Sequence, residues 1–406
     1  MNRPLLIIFL TILVNLIGFG IIIPLLPFYA QTFGASPLAI GLLFASFSFS
    51  QLVASPVLGH WSDRWGRRPI LVFSLIGTVI SFVMLALARS LAILFIARIV
   101  DGLSGGNITT ARAYIGDIAT EQNRAKYFGF LGAAFGLGFI IGPGLSGLFA
   151  RISYTAPIWA AAAITLVATL LAWFWLPETV HRVNAVAGSP WKALRELSGR
   201  PGLRLLLSID FLYWASFAVY QTTFALFGER RFGLDATQTG YLLAVFGFLG
   251  VIVQGGMVGP IARRLGEKQM LIIGLVFVAI AWGGTAMTHS FPIFLLLLVP
   301  GALGIGFCNP SLVSLVSGAG GKHEQGRVQG AAGALESLGR GLGPVWGNGL
   351  LQWRGEGTAY GSAALVLLGT AALAMRYQRP QPVSVPFARE ADRVGREGAA
   401  ARQDEP

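Results

Sequence analysis

Residues 59–69 read Gly-His-Trp-Ser-Asp-Arg-Trp-Gly-Arg-Arg-Pro, and long apolar runs flank them at 38–58 and 70–88. A charged segment this short between two apolar spans is expected at one face of a membrane, and its glycines predict a tight turn. Its excess of arginine predicts the cytoplasmic face, because Lys and Arg are retained there. Asp63 precedes Arg67 by four residues, so the two side chains can meet if the chain is helical here.

The composition is that of a membrane protein with many spans. Of the 406 residues 54% are hydrophobic and 12% charged, whereas soluble domains carry about 25% charged residues. In a chain this apolar, the net charge of +12 indicates retention charge and attraction to anionic lipid, not a nucleic-acid partner. Cys308 is the single cysteine, so neither an internal disulfide nor a thiol metal site is predicted. The sequence holds no Walker A motif and no nucleophile–base arrangement, so neither an ATP-driven pump nor an enzyme is expected.

Apolar runs of about 20 residues predict an all-α integral membrane protein with twelve transmembrane helices in two sets of six. The spans lie near residues 5–29, 38–58, 70–88, 91–113, 126–149, 156–176, 203–228, 237–260, 269–288, 291–317, 327–350 and 357–376. The predicted domains are an N-terminal bundle over 1–177, a cytoplasmic linker over 178–202, a C-terminal bundle over 203–378 and a disordered cytoplasmic tail over 379–406. A short interfacial amphipathic helix is expected at 191–195.

The distribution of basic residues tests this topology. The predicted outer loops hold only five of the 30 Lys and Arg, namely Arg89, Arg151, Arg230, Arg231 and Arg354. Three more, Arg98, Arg112 and Arg340, fall inside spans, and the rest lie in segments predicted to be cytoplasmic. The bias predicts that both termini are cytoplasmic.

The two halves of the chain repeat each other. Residues 59–66 realign on 259–266, and Gly142-Pro143 realigns on Gly343-Pro344, an offset near 200 residues in each case. Such a duplication is typical of transporters whose substrate site lies between two parallel halves. Arg263 replaces Asp63 in the second copy, so acid chemistry in this segment belongs to the first half.

The segment at 59–69 resembles the signature loop of the major facilitator superfamily, found there between the second and third helices. The residues that match its pattern G-x-x-x-D-R-x-G-R-R are Gly59, Asp63, Arg64, Gly66, Arg67 and Arg68. The resemblance implies two pseudo-symmetric six-helix bundles. It also implies that Asp63, Arg67 and Asp117 form a charge cluster that, together with Gly59, Arg64 and Gly66, latches helices when the cavity faces outward. The alternatives are a loop that is only a retention signal and an ordinary charged helix end at Asp117.

The fourth span begins its polar part with R-I-V-D-G-L-S-G-G-N, which resembles the fourth-helix motif of drug/proton antiporters in that superfamily. There an arginine, here Arg98, is linked to proton handling, and Asp101 three residues on can share its face. The alternative is a static pair of Arg98 and Asp101. The first span resembles that of tetracycline/proton antiporters, where an aspartate often occupies the place of Asn15. Since Asn cannot carry a proton, Asp101 is the leading proton carrier, and the reserves are Asp210 and Glu336, the latter four residues before Arg340.

The fifth span holds the pattern G-x-x-x-G-P-x-x-x-G, formed by Gly138, Gly142, Pro143 and Gly147. In the superfamily this motif is associated with antiporters, and the alternative is generic packing of small residues. Position within the family gives the expected cavity lining, which is Asn15, Gln51, Asn107, Tyr213, Trp214, Tyr220, Gln221, Phe246, Gln254, Phe307 and Asn309. Aromatic and amide side chains suit a bulky, partly apolar ligand, although each of them alone can equally serve helix packing.

Together these features predict a monomeric transporter of the bacterial inner membrane. It would export a small amphipathic compound, a drug or a tetracycline-like molecule, by alternating access, with the proton gradient in place of any cofactor. One alternative is a sugar or metabolite symporter or uniporter. Another is a transport-inactive membrane sensor or scaffold that keeps the fold.

Overall fold

The computed structural model describes residues 3–120, 122–179, 195–197, 199–319 and 324–378, and these residues are helical over nearly their whole length. The helices of the first half are α1 (Arg3–Gln31), α2 (Pro37–Trp65), α3 (Arg67–Ala86), α4 (Leu91–Leu103), α5 (Asn107–Ile118), α6 (Arg124–Ala150) and α7 (Ala156–Trp175). The helices of the second half are α8 (Pro201–Phe232), α9 (Ala236–Ile252), α10 (Val258–Leu265), α11 (Glu267–Met287), α12 (Phe291–Ala319), α13 (Gln325–Arg354) and α14 (Glu356–Arg376).

Within the described residues these helices make twelve lengthwise runs, which confirms the predicted all-α membrane architecture. Eleven runs are long and apolar enough to cross a bilayer, and α13 is the exception because it is rich in glycine and carries Glu336 and Arg340. The sequence predicted the fourth and eighth runs as single helices, but each of them is interrupted. Residues 104–106 separate α4 from α5, and a π-helical turn at Val253–Met257 separates α9 from α10.

The charged segment at 59–69 is mostly helix, so the predicted tight turn is shorter than expected. Helix α2 continues to Trp65 and α3 begins at Arg67, which leaves Gly66 alone between them with φ 110°. Its repeat Gly266 joins α10 to α11 in the same way with φ 80°. Only glycine adopts these angles without strain, and that explains how one residue can reverse the chain. The end of the bundle that carries both residues is called the Gly66 face.

The opposite end of the bundle, called the Gly34 face, has its own glycine turns. Gly34, Gly233 and Gly355 all have positive φ and lie beyond the ends of α1, α8 and α13. The two halves meet where α6 packs against α9 and α2 packs against α13. The domain limits stay predictions, and the expected helix at 191–195 and tail at 379–406 lie largely or wholly outside the described residues.

The halves are tightly packed near the Gly34 face. A Cβ on Gly41 would lie 2.5 Å from the carbonyl oxygen of Pro344, and a Cβ on Gly240 would lie 2.7 Å from that of Pro143. Glycine is therefore needed for the two helix pairs to cross this closely.

The halves are parted towards the Gly66 face. Gly59 of α2 and Gly330 of α13 have nothing within 4 Å of a Cβ position, and the same is true of Gly129 of α6 and of Gly255 in the π-helical turn. The same helix pairs that touch near the Gly34 face thus separate on the other side. This loss of contacts along both helix pairs indicates a cleft between the halves that opens at the Gly66 face.

Candidate functional site

A cavity lies midway along the helices, at the closed end of this cleft. Its wall combines residues of both halves, namely Phe19, Phe44, Phe47, Ser48, Gln51 and Arg98 from the first and Ala218, Gln221, Thr222, Arg340 and Pro344 from the second. The free volume is about 20 Å³, room for about one water molecule. A larger ligand therefore requires the halves to move apart at this level.

Arg98 is the charged residue of the first half on this wall. Its side chain is 1% exposed, and its Nη1 donates to Asp101 at 2.8 Å. Its guanidinium carbon lies 4.2 Å from the centre of the Phe47 ring, within the range of a cation–π interaction. Gly102 makes this possible, because a Cβ there would collide with the backbone of Phe47. The predicted pairing of Arg98 with Asp101 is confirmed, and Asp101 itself lies behind the wall.

The donors of Arg98 are not all satisfied. Among the described residues, Nε and Nη2 have no hydrogen-bond partner although both atoms are buried. A buried guanidinium that keeps unmet donors is costly, and it is held here only by its one carboxylate and one ring.

Arg340 is the charged residue of the second half on the wall. It pairs with Glu336 at 3.4 Å, as predicted from their spacing, and its guanidinium lies 5.2 Å from the centre of the Trp214 ring. Asp210, on the same helix as Trp214, is 5% exposed and within electrostatic range of both Glu336 and Arg340. Among the described residues, Asp210 makes no ion pair within 4 Å. Two carboxylates thus face one guanidinium in this half.

Several residues predicted to line the cavity do not reach its wall. Gln51 and Gln221 do, but Tyr220 is a correction: it is buried and stacks on Trp282 with ring centres 5.3 Å apart, inside the aromatic core of the second half. Phe246 packs against that same ring of Tyr220, at 5.4 Å.

The remaining predicted lining residues also lie elsewhere. Tyr213 donates to Asn309 at 2.8 Å, a bond within the second half. Asn107, the first residue of α5, is buried and its amide has no partner among the described residues. Asn15 is half-buried outside the wall, Phe307 is buried against Val253 and Met270, and Gln254 is exposed in the π-helical turn. None of these residues belongs to the wall of the cavity.

The aromatic side of the wall was not predicted. Phe44, Phe47 and Gln51 follow each other at three- and four-residue spacing on α2, so they share one face of that helix. That spacing is a signal in the sequence, but α2 is apolar around much of its surface and the signal does not stand out.

A separate ionic cluster lies at the Gly66 face. Arg67 bonds to Asp63, and its Nε donates to Asp117 at 2.9 Å. The carboxylate of Glu178 accepts the backbone N–H groups of Arg67 at 2.8 Å and Arg68 at 3.1 Å, and so caps the first turn of α3. The sequence analysis did not identify Glu178 as a cap, although an acid just after an apolar span is a signal in the sequence.

One expectation about this cluster is corrected and another stays a prediction. The cluster joins α2, α3, α5 and the segment after α7, all in the first half, and it is formed while the cleft is open at this same face. The step of the transport cycle in which these contacts act as a latch stays a prediction. Arg64 is exposed and Gly59 borders open space, so neither belongs to it.

The glycine–proline motif of α6 packs in two directions. A Cβ on Gly138 would lie 2.5 Å from the side chain of Leu16, and one on Gly142 would lie 2.7 Å from the carbonyl of Ile17, both on α1. Gly147 faces the other half, 2.7 Å from the carbonyl of Thr237. The motif thus lets α6 approach α1 and α9 at once.

Within the described part of the chain, no group of three or more His, Cys, Asp and Glu residues is arranged to hold a metal ion. The charged chemistry available at the cavity is therefore that of Arg98 and Arg340 with the acids beside them.

Comparison with known proteins gives consistent relatives. The sequence profile of the Major Facilitator Superfamily matches residues 8–344 and, in a second match, 232–400. The chain is 34% identical to the tetracycline resistance protein, class C, of Escherichia coli over 85% of this chain and 88% of that protein. It is 30% identical to multidrug resistance protein 2 of Bacillus subtilis over 83% of this chain and 86% of that protein. The crystal structure of the human organic anion transporter MFSD10 (TETRAN) superimposes with a TM-score of 0.72, 26% identity and coverage of 92% and 99%.

Proposed function

The chain belongs to the major facilitator superfamily, and from that premise we propose that it exports a small amphipathic compound, a drug or a tetracycline-like molecule, in exchange for protons. It is a transport protein with many membrane spans and not an enzyme. The relatives named for tetracycline and multidrug resistance support the substrate class.

The observation that carries the proposal is the asymmetric contact between the halves. The halves are packed together near the Gly34 face and parted at the Gly66 face. Between these two levels lies a cavity whose wall is formed by residues of both halves. Rocking of one half against the other would close the Gly66 face and open the Gly34 face around the same cavity, which is alternating access. Since the cavity is built from one chain, a monomer suffices.

We assign the Gly66 face to the cytoplasm of a bacterial inner membrane. The Arg64, Arg67 and Arg68 side chains of the first half and the Arg263 and Arg264 side chains of its repeat all lie by the turns at this face. Basic residues are retained on the cytoplasmic side, so both chain ends are assigned to that side as well. The cleft then faces the compartment from which a drug is removed.

Charge balance supports a proton site in the second half. Arg340 pairs with Glu336, and Asp210 lies within electrostatic range of both, so the group carries one uncompensated negative charge when every member is ionised. A buried uncompensated charge is costly in a bilayer, and one proton removes it. Arg98 and Asp101 already neutralise each other. We therefore place the exchanged proton on Asp210 and Glu336, and keep Asp101 as the competing carrier.

Everted membrane vesicles test the exchange. In vesicles acidified by respiration, tetracycline should release protons and restore the fluorescence of a ΔpH-sensitive acridine dye. Asp210→Asn should abolish this response and Asp101→Asn should retain it. Asp235→Asn is a matched control, because it removes a carboxylate but Asn still caps α9.

The other outcomes identify the alternatives. Loss of the response only in Asp101→Asn would move the proton carrier to the first half. A sugar or metabolite symporter would take up protons together with its substrate and would show the opposite sign. A transport-inactive sensor or scaffold would show no response in any vesicle, although the protein is present at normal level.

A further inference from the structure

We propose that the cavity binds an acidic group of the substrate, a carboxylate, sulfonate or ionised enol, at the guanidinium of Arg98. The proposal rests on the proposed function, since it names the class of compound that the transporter selects. It is carried by the hydrogen-bonding state of Arg98.

Arg98 lines the cavity and has two buried nitrogens without a partner among the described residues. Asp101 occupies Nη1 only, and Phe47 covers one face of the guanidinium. Nε and Nη2 are neighbouring donors on one edge of the fork, the geometry that binds a carboxylate with two parallel hydrogen bonds. A ligand anion at the cavity would satisfy both donors at once.

The charges around the cavity favour an anion over a cation. Arg98 and Arg340 are the charged residues of its wall, one from each half, and both are basic. The acids that pair with them are not on the wall: Asp101 lies behind Arg98, and Glu336 lies one turn before Arg340 on α13. Asp210 is near Arg340 but is also off the wall. A ligand therefore meets the guanidinium side of both pairs.

The uncharged wall defines the rest of the ligand. Phe19 and Phe47 face each other with ring centres 5.9 Å apart, and Phe44 lies on the same face of α2. Gln51 bonds to the carbonyl of Gly105 through its amide nitrogen, which leaves its oxygen as an acceptor. This wall fits a planar aromatic body with a hydroxyl or amide group. The substrate class is thus a planar aromatic acid.

An anionic substrate changes the energetics of export. A bound anion at Arg98 and a proton on Asp101 would stabilise each other, so they would not exchange. The exchanged proton then has to be held elsewhere, which agrees with the proposed site at Asp210 and Glu336. If one proton enters for each monoanion that leaves, two positive charges move inward per cycle. The membrane potential, negative inside, then drives export in addition to the pH gradient.

Two xanthene dyes of matched shape test the inference on the purified protein in detergent. Fluorescein is anionic at pH 8 and rhodamine 6G is cationic, and binding of each is measured by fluorescence polarisation. The double variant Arg98→Gln/Asp101→Asn removes the buried pair without stranding either charge, and Arg340→Gln removes the second guanidinium. Arg112→Gln is the control, because Arg112 is an exposed arginine of α5 away from the cavity.

Fluorescein should bind the wild-type protein at least about tenfold more tightly than rhodamine 6G. The double variant and Arg340→Gln should each weaken fluorescein binding by about tenfold or more and leave rhodamine 6G binding unchanged, and Arg112→Gln should change neither. If the double variant does not fold, the wild-type preference and the effect of Arg340→Gln decide. Tighter binding of rhodamine 6G, or fluorescein binding that is insensitive to both arginines, overturns the inference.

Failure here is distinguishable from failure of the proposed function. Tetracycline-induced proton release in vesicles combined with a preference for rhodamine 6G would overturn only the anion site. Absence of proton release with tetracycline, combined with tight fluorescein binding, would overturn the exchange reaction and keep the site.

Discussion

Arg67 and Arg98 show how differently two arginines of one bundle can be used. Arg67 donates to Asp63, Asp117 and the hydroxyl of Ser62, so most of its fork is engaged. Arg98 is more deeply buried and has a single carboxylate partner. A buried ion that keeps free donors contributes little to stability in itself, which is a reason to look for a ligand at Arg98 and a structural role at Arg67.

Arg98→Ala should destabilise the protein, because it leaves the carboxylate of Asp101 buried and unpaired. The expected loss is about 3–5 kcal/mol in the free energy of unfolding. Arg98→Gln combined with Asp101→Asn should cost much less, since no charge is left alone. Thermal unfolding of the detergent-purified proteins checks the order, and equal melting temperatures for the two variants would show that the pair is not ionised.

Glu178→Ala should loosen the start of α3. The carboxylate of Glu178 accepts two backbone N–H groups at the positive end of that helix, and such a cap contributes about 1 kcal/mol. Glu178→Gln should recover part of the loss, because its amide oxygen still accepts a hydrogen bond without the charge. Hydrogen exchange of the backbone amides of Arg67 and Arg68 measures the effect directly. Unchanged exchange rates in Glu178→Ala would show that Glu178 does not stabilise the start of α3.

At the scale of helices, the two crossings between the halves are related by the internal repeat. Gly41 near the start of α2 meets the carbonyl of Pro344 in α13, and Gly240 near the start of α9 meets the carbonyl of Pro143 in α6. Each crossing thus joins a glycine of one half to a proline of the other. Each proline also bends its own helix, because it lacks an N–H and its ring collides with the carbonyl four residues before it.

Gly41→Ala and Gly240→Ala should weaken the packing near the Gly34 face and shift the population towards a state closed at the Gly66 face. The added methyl group would lie within 2.5 Å and 2.7 Å of the opposing carbonyl oxygens. Gly250→Ala on α9 and Gly369→Ala on α14 are matched controls, because a Cβ at either position would have nothing within 4 Å and neither glycine belongs to a crossing between the halves.

The width of the cleft is measured as the distance between spin labels on cysteines introduced at His60 and Arg264, by pulsed electron paramagnetic resonance. The native Cys308 is buried and is replaced by alanine in this background. The distance should shorten in both crossing variants and stay at the wild-type value in both controls. Equal distances in all four variants would mean that these crossings do not set the conformational balance.

At the scale of the whole molecule, the cleft opens on the same face at which the first helix begins and the last helix ends. Helix α1 begins and α14 ends at the Gly66 face, where the halves are parted. The direction of transport therefore depends on which side of the membrane this face occupies.

Reporter fusions give that orientation. A periplasm-active reporter should be active when fused after Gly34 and inactive when fused after Gly188, in the predicted linker. A cytoplasm-active reporter should give the reverse pattern. Activity of the same reporter at both positions would contradict the topology, and with it the assignment of the cleft to the cytoplasm.

The sequence by itself determined the features that depend on local spacing and hydropathy. The number of spans follows from apolar run lengths, and the turn at Gly66 and its repeat at Gly266 follow from glycine placement. The pairs Arg98–Asp101 and Glu336–Arg340 follow from helical spacing, since residues three or four apart on a helix are neighbours.

The tertiary structure decided which residues face the space between the halves. A transmembrane helix is apolar around most of its surface, so periodicity does not show which side meets a neighbour, lipid or cleft. Only the packing of helices distant in sequence places Tyr220 in an aromatic core and Phe47 at the cavity. The same packing brings the carboxylate of Glu178 to the first turn of α3. The unmet donors of Arg98 and the side of the cleft opening are likewise properties of contacts between elements, because they depend on what the rest of the chain leaves unfilled.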